Sequence, residues 1–276
     1  MATPLEPGLY IVATPIGNLG DITQRASETL RSVAAIACED TRVTGKLLQH
    51  LGIRQRMIRY DDHASEATRD HLLQIAASEP LALVSDAGTP LISDPGFRLV
   101  REARARGIAV TSLPGPSAAV VALTLAGLPS DRFLFAGFLP ARDKARADVL
   151  HELAGVRATL VFYETAPRLA DSLSAIAERL PGREVGVARE LTKRFEECRT
   201  GMPEELLAHY AAHPPKGEIV LLVAPPGEAP PPEAADVDTL LRAALEGAKP
   251  SQAAAQVAKA TGLDRKALYA RALELK

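Results

Sequence analysis

The chain has 276 residues, 47% of them hydrophobic and 24% charged, which excludes a disordered chain and supplies core for about two domains. Its formal net charge of −2 excludes a uniformly basic nucleic-acid binder but leaves room for a local basic surface. Its two cysteines, Cys38 and Cys198, exclude a disulfide framework or a cysteine-rich zinc site. With no signal-like N-terminus and no apolar run of membrane length, a cytoplasmic location is expected.

In chain order, GLYIVA at 8–13 predicts a first strand. A first loop, Ala13 to Thr23, follows it. There Pro15 fixes the backbone, Gly17 and Gly20 permit close approach, and Asp21 is expected to cap a helix running to Ser32. VAAIAC at 33–38 predicts a second strand and ends in a second loop, Glu39-Asp40-Thr41-Arg42. Two readings of that loop stand. Its carboxylates orient a substrate hydroxyl or a basic group, or Asp40 caps a helix and pairs with Arg42. RMIRY at 56–60 predicts a third strand, followed by a loop carrying His63 and an amphipathic stretch at 65–78.

LALVS at 81–85 predicts a fourth strand, and SDAGTPLISDPG at 85–96 is a third loop. Two prolines and two glycines in twelve residues exceed what a plain turn requires, so this loop reads as a ligand-binding segment. Asp94-Pro95-Gly96 is expected to open the next helix with proline at its first position. IAVTSL at 108–113 predicts a fifth strand, and Pro114-Gly115-Pro116-Ser117 forms a fourth loop, with Ser117 expected to cap a helix to Ala126. The pattern then restarts, with strands predicted at 133–138, 159–163, 184–188 and 218–224.

Residues 183–199 carry five basic and four acidic side chains. Arg189 and Lys193 there either contact phosphates or lie on a solvated helix face. Pro225 to Pro232 reads as a stiff linker, and three short helices follow, the first starting at Asp236 or Asp238. Residues 249–276 hold six Lys and Arg against Asp264 and Glu274, so this bundle either touches RNA or is a structural appendage.

Strands alternating with helices predict two α/β domains with mostly parallel sheets, at 1–114 and 115–225, then a Pro-rich linker at 226–235 and a helical domain at 236–276. In open parallel sheets, ligands bind beyond the carboxyl ends of the strands, where the four loops lie. No two glycines are separated by one residue, which removes the G-x-G-x-x-G fingerprint. P-loop, His-Glu-x-x-His and G-x-S-x-G patterns are also missing, so an NTPase, a zinc enzyme and a hydrolase lose their main support, and no metal is expected.

Taken together, VATPIGNLGDIT at 12–23, CEDTR at 38–42, SDAGTPLISDPG at 85–96, PGPSA at 114–118, LVFYETAPR at 160–168 and KGEIVLLV at 216–223 resemble the tetrapyrrole methylase superfamily. The likeness is closest to the branch acting on small-subunit ribosomal RNA. It covers about residues 8–224 and extends to the C-terminal helices. It implies S-adenosyl-L-methionine held in a cleft between two α/β domains, a homodimer, and 2′-O-methylation of a cytidine ribose in the decoding region of 16S rRNA. The alternatives are a tetrapyrrole or protein substrate, or a non-catalytic RNA-binding assembly factor.

By the same resemblance, Pro15, Ile16, Gly88, Thr89, Pro90, Ile92, Ser117, Ala118, Tyr163, Gly217 and Glu218 would line the cofactor. Thr89 departs from the family, since many relatives carry Asp there in a G-D-P loop. The segment Tyr60 to Glu66 also departs, keeping its His and final Glu while its flanks differ. Methyl transfer to a ribose hydroxyl calls for a base, with Asp40, Glu39, Asp86 and His63 as candidates. Histidine suits by residue type, because it titrates near neutral pH. Arg42, Arg189 and Lys193 are candidate RNA contacts.

Overall fold

The computed structural model describes residues 5–61, 63–227 and 234–275; positions 228–233 of the expected Pro-rich linker lie outside the described residues. The chain divides into two compact units, Met1–Pro226 and Gly227–Lys276.

The first unit contains two five-stranded sheets. Its first lobe runs β1 (Gly8–Val12), α1 (Gln24–Ser32), β2 (Ala35–Cys38), α2 (Thr41–His50), β3 (Met57–Arg59), α3 (Glu66–Ser78), β4 (Pro80–Val84), α4 (Phe97–Ala105) and β5 (Val110–Leu113). The strands pair in the order β3-β2-β4-β1-β5, all parallel. Alternating side chains enter opposite faces of a sheet, and here both faces are buried. Ala35, Ala37, Leu81 and Leu83 pack on one side with Leu72, Leu73 and Leu99. Ile36, Cys38, Ala82 and Val84 pack on the other with Leu30 and Leu48. Each large aliphatic side chain buried in this way contributes about 1.5–3 kcal/mol.

The second lobe runs α5 (Ala118–Leu125), β6 (Phe133–Phe138), α6 (Asp143–Leu153), β7 (Thr159–Thr165), α7 (Leu169–Arg179), β8 (Val185–Arg189), β9 (Glu197–Gly201), α8 (Pro203–Ala212) and β10 (Glu218–Val223). Its sheet order is β6-β7-β10-β8-β9, and here the expectation of parallel strands gives way. Only β6 and β7 run parallel; β10 is antiparallel to β7 and β8, and β8 to β9. The physical reason for the β8–β9 pair is its connection. A parallel neighbour needs a long crossover, whereas residues 190–196 form a short irregular hairpin loop. The charged run at 183–199 is therefore two strands and a loop, not a solvated helix face.

In the first unit, helix starts or their caps differ from expectation at three places. Thr23, not Asp21, caps α1, accepting from the amide of Ala26 at 3.1 Å. Ser117 stands at the N-cap position of α5 but makes no side-chain cap hydrogen bond. Proline does not open α4, which begins at Phe97 after Gly96, whose φ of 134° is incompatible with a helix.

The second unit is three helices: α9 (Ala234–Leu245), α10 (Pro250–Thr261) and α11 (Arg265–Glu274). α9 thus starts ahead of both Asp236 and Asp238. Leu241, Ala254, Val257, Leu268 and Ala272 form its core. Gly262, left-handed at φ 73°, stops α10, and Asp264 caps α11 through the amide of Ala267 at 3.0 Å. Among the described residues, no helix is long and apolar enough to cross a membrane.

Candidate functional site

Three of the loops at the carboxyl ends of the first sheet are tied to one another. Thr14 and Gly88 exchange backbone hydrogen bonds at 2.9 and 3.0 Å, joining the loops after β1 and β4. The Thr14 hydroxyl donates to the Ser85 carbonyl at 3.1 Å. The Thr89 hydroxyl donates to the Pro116 carbonyl at 3.0 Å and so binds the loop after β4 to the one before α5. Glycine is needed at Gly115, where a Cβ would stand 2.8 Å from the Cβ of Ala13. The loop after β2 joins this group through the amide of Asp40, which donates to Asp86 Oδ1 at 3.1 Å.

Between these loops and the second lobe lies a cavity of about 240 Å³. From the first lobe it is lined by Ile16, Gly88, Thr89 and Ile92, with Ala87, Ser93 and Asp94. Ser117, just before α5, and Ala118, its first residue, line it where the two lobes join. The second lobe contributes Tyr163 and Glu218, with Phe138, Glu164, Thr165, Leu191, Ile219 and Val220. Pro15, Pro90 and Gly217 do not line it; each is next in sequence to a residue that does. Tyr163 sits edge-on to Phe135 and Phe138, with ring centroids 4.8 and 5.6 Å away.

The backbone around the cavity is strained. Among the described residues, the non-glycine residues with positive φ are Leu91 (74°), Ser93 (62°), Glu190 (49°) and Thr192 (63°). Each costs on the order of 1–3 kcal/mol and needs surrounding structure to hold it. Ser93 lines the cavity, and Glu190 and Thr192 flank the lining residue Leu191. The Glu190–Glu196 turn is braced by Thr192 N–H donating to Glu196 Oε2 at 2.6 Å. It packs on Gly17, where a Cβ would meet the Lys193 side chain at 2.5 Å.

The carboxylates divide by their partners. Asp40 caps α2 through the amide of Arg42 at 2.8 Å and holds the Arg42 side chain at 2.6 Å. That guanidinium keeps its carboxyl down at about 2. Asp86 accepts from Asp40 as described, and His63 lies in an exposed turn, its amide donating to Asp61 Oδ1 at 2.9 Å. Neither Asp40, Asp86 nor His63 lines the cavity. Asp94 does, and sequence reasoning missed it by assigning it to a helix start. Burial, reinforced by the charges of Glu39 and Asp86, pushes its carboxyl up to about 6, against a hydrogen bond from Ser85. Burial also raises the Tyr163 phenol, helped by the neighbouring Asp94.

Of the candidate RNA contacts, Arg42 exposes 86% of its side chain while holding Asp40. Arg189 is paired with Glu197 at 2.6 Å, and Lys193 bridges Glu190 at 3.0 Å and Glu218 at 2.9 Å. In the second unit, Arg265, Lys266 and Tyr269 share a shallow depression with Ser251, whereas Arg271 is tied to Asp238 and Glu274. No cluster of three or more metal-ligating side chains occurs among the described residues.

Residues 8–207 match the family model for Tetrapyrrole (Corrin/Porphyrin) Methylases. The chain belongs to the tetrapyrrole methylase family. Residues 231–276 match a second model, the RsmI C-terminal HTH domain. Over 275 residues the chain is 66% identical to "Ribosomal RNA small subunit methyltransferase I" of Erythrobacter litoralis, covering all of this chain and 98% of that protein. It is 49% identical to the protein of the same name from Escherichia coli O157:H7, covering 96% and 94%. Solved structures share the fold at lower identity. Diphthine synthase matches with a TM-score of 0.62 at 15% identity, covering 78% of this chain and 89% of that one. Uroporphyrin-III-C-methyltransferase from Thermus thermophilus matches with a TM-score of 0.56 at 21% identity, covering 79% and 94%.

Proposed function

We propose that this chain transfers the methyl group of S-adenosyl-L-methionine to the ribose 2′-hydroxyl of a cytidine in the decoding region of 16S rRNA, within the small ribosomal subunit. The carrying observation is the 66% identity, over the whole length including the C-terminal helices, to a relative named for small-subunit ribosomal RNA methylation.

The cavity fits such a donor. Ile16, Leu191, Ile219 and Val220 offer apolar surface to an adenosine, with Tyr163 and Phe138 beside them. Its ionisable lining groups are Asp94, Glu164, Glu218 and Tyr163, with no Lys or Arg, which suits a ligand carrying a sulfonium and an ammonium. When bound, the donor supplies a methyl group already activated on a positively charged sulfur.

The protein's share is orientation and exclusion of water. Backbone groups of Gly88, Thr89, Ser117 and Ala118 would fix the donor, while Pro15, Pro90 and Gly217 shape the turns that carry their lining neighbours. Arg42 and the Arg265–Lys266 pair would meet phosphates. Arg189 and Lys193 would do so by exchanging their present carboxylate partners. The net charge of −2 gives modest long-range attraction, which favours an assembled subunit over naked RNA as substrate. A homodimer accompanies this reading and is checked by sedimentation.

The test is transfer of labelled methyl groups to small subunits lacking the modification, with the product mapped as nuclease-resistant ribose methylation. Label at one decoding-region cytidine ribose is the expected result. Donor binding without any labelled RNA would reject the assignment.

A further inference from the structure

We propose that a second cavity, between the β8–β9 turn and the end of α8, holds one base of the RNA strand that is methylated. The base stacks on Phe195, and the flanking phosphates meet Arg194 and Lys216. This rests on the ribosomal-RNA reading above and concerns a site separate from the donor cavity.

The second cavity measures about 340 Å³, which lies within the roughly 300–1,000 Å³ of small-ligand sites. Its polar groups are already paired. Glu197 accepts from Arg189 at 2.6 Å and from the Tyr210 hydroxyl at 3.4 Å, with Arg199 at 3.5 Å. Its other surfaces are flat. The rings of His209 and His213 stack with centroids 4.7 Å apart, and Pro214 and Pro215 follow them. Phe195 lines the cavity from the turn and is 65% exposed. Flat rings around an open phenyl group suit a flat ligand.

The charges sort a base from a phosphate. The carboxylates of Glu190 and Glu197 line the cavity, and each already holds a cation, Lys193 and Arg189 respectively. A phosphate entering here would be repelled by these acids, whereas a neutral base would not. Arg194 and Lys216 are exposed, and neither has a carboxylate partner among the described residues. Arg194 places its guanidinium 5.5 Å from the centroid of the Phe195 ring, and Lys216 lines the cavity from the segment after α8. An open aromatic ring flanked by unpaired cations is the arrangement that holds single-stranded RNA: the base stacks while the backbone charge is neutralised.

A stiff turn presents the ring. Glu190 and Thr192 have positive φ, and the Thr192 amide donates to Glu196 Oε2 at 2.6 Å. The Glu190 amide donates to the Glu218 carbonyl at 3.2 Å. A turn fixed in this way loses little freedom when a base stacks on it. The same turn carries Leu191 into the donor cavity, and Glu218, two residues after Lys216, also lines that cavity. The two cavities thus share a wall, so a base in the second one belongs to a nucleotide flanking the methylated one.

The test is the affinity of the full chain for small subunits lacking the modification, measured by filter binding for Phe195→Ala, Phe195→Leu and Phe195→Tyr. Alanine should weaken binding by about 5- to 150-fold, the range that one base stack on an aromatic ring is worth. Leucine should lose nearly as much, because it keeps the apolar surface without the ring, and tyrosine should stay within about threefold of wild type. Donor affinity, measured by calorimetry without RNA, should stay within about threefold for all three. Arg194→Gln with Lys216→Gln should reduce the slope of log affinity against log salt by about 2. An alanine variant that binds within about threefold of wild type overturns the proposal. So does a leucine variant that binds like wild type while alanine does not, since an apolar protein surface of the subunit would then cover the ring. A loss matched by an equal loss of donor affinity also overturns it, by making the turn a structural element of the donor cavity. An unchanged salt slope in the double variant removes the phosphate contacts and with them the proposed orientation. Wild-type protein that binds subunits but leaves no ribose label would instead reject the ribose reading, while the affinity series still judges the second cavity.

Discussion

Replacing Gly96 by alanine tests whether the loop that carries Ile92 and Asp94 is held by packing beneath it. Gly96 has a φ of 134°, which L-residues rarely adopt, and the strain of forcing one there costs on the order of 1–3 kcal/mol. The added methyl would stand 2.8 Å from Leu83 Cδ2 and 3.2 Å from Leu91 Cδ1. Leu83 is 1% exposed in the core of the first lobe and has nowhere to go, so overpacking adds about 1–3 kcal/mol. At about 2–4 °C per kcal/mol for a unit of this size, Gly96→Ala should melt roughly 5–20 °C below wild type. Gly107→Ala is the matched control. It also has positive φ, 71°, but no atom lies within 4 Å of its added methyl. It should therefore lose only the backbone term, about 1–2 kcal/mol. Differential scanning calorimetry of the first-unit transition reads both. A Gly96 variant that melts no lower than the Gly107 variant would refute the packing argument.

Asp94→Asn should show what burying this carboxylate in the cavity wall costs. The folded carboxyl titrates at about 6 against an ordinary 3.8, so the folded chain binds a proton more tightly than the unfolded one. The resulting stability is present below the lower value and is lost as pH rises through the upper one. Partial exposure discounts the nominal cost, so the variant should be about 1–2 kcal/mol more stable than wild type near pH 8 and no more stable near pH 4, by urea denaturation. Thr89→Val removes the hydroxyl tie to the Pro116 carbonyl. It should cost about 1 kcal/mol of stability and weaken donor binding in calorimetry; unchanged donor affinity would show that the two loops do not need that tie. Arg265→Glu with Lys266→Glu should raise the KM for small subunits and reduce the slope of log affinity against log salt by about 2, leaving donor affinity alone. An unchanged salt slope would assign the C-terminal unit a structural role.

The first sheet was legible because its strands are buried on both faces. AIAC at 35–38 has no polar side to misplace, and β-strand and helical periods alternate cleanly around it. The second sheet was legible in its apolar strands and illegible in its direction. β9 (ECRTG) is an edge strand with half-exposed, polar side chains, and it forms by pairing with β8 across a loop. Nothing local marks it as a strand. Nor does the sequence of β10 say that it enters between β7 and β8 running opposite to both.

The loops around the cavity were visible for a different reason: glycine and proline declare backbone shape directly. Which side chain faces the cavity was not visible, and Asp94 shows why. Asp-Pro-Gly reads locally as a helix opening, with the aspartate as its cap. The opening is prevented from a distance, because Gly96 must pass against Leu83, thirteen residues earlier, in a conformation no helix allows. The helix start moves to Phe97, and the aspartate is left free of a cap. Asp40 is the reverse case. Its position after a strand and its neighbouring charges mark it for chemistry, yet α2 and Arg42 use both of its oxygens. The two aspartates thus exchange the roles that local sequence gives them. What separates them is whether a cation or a helix end lies within reach, and that is a property of the packed chain.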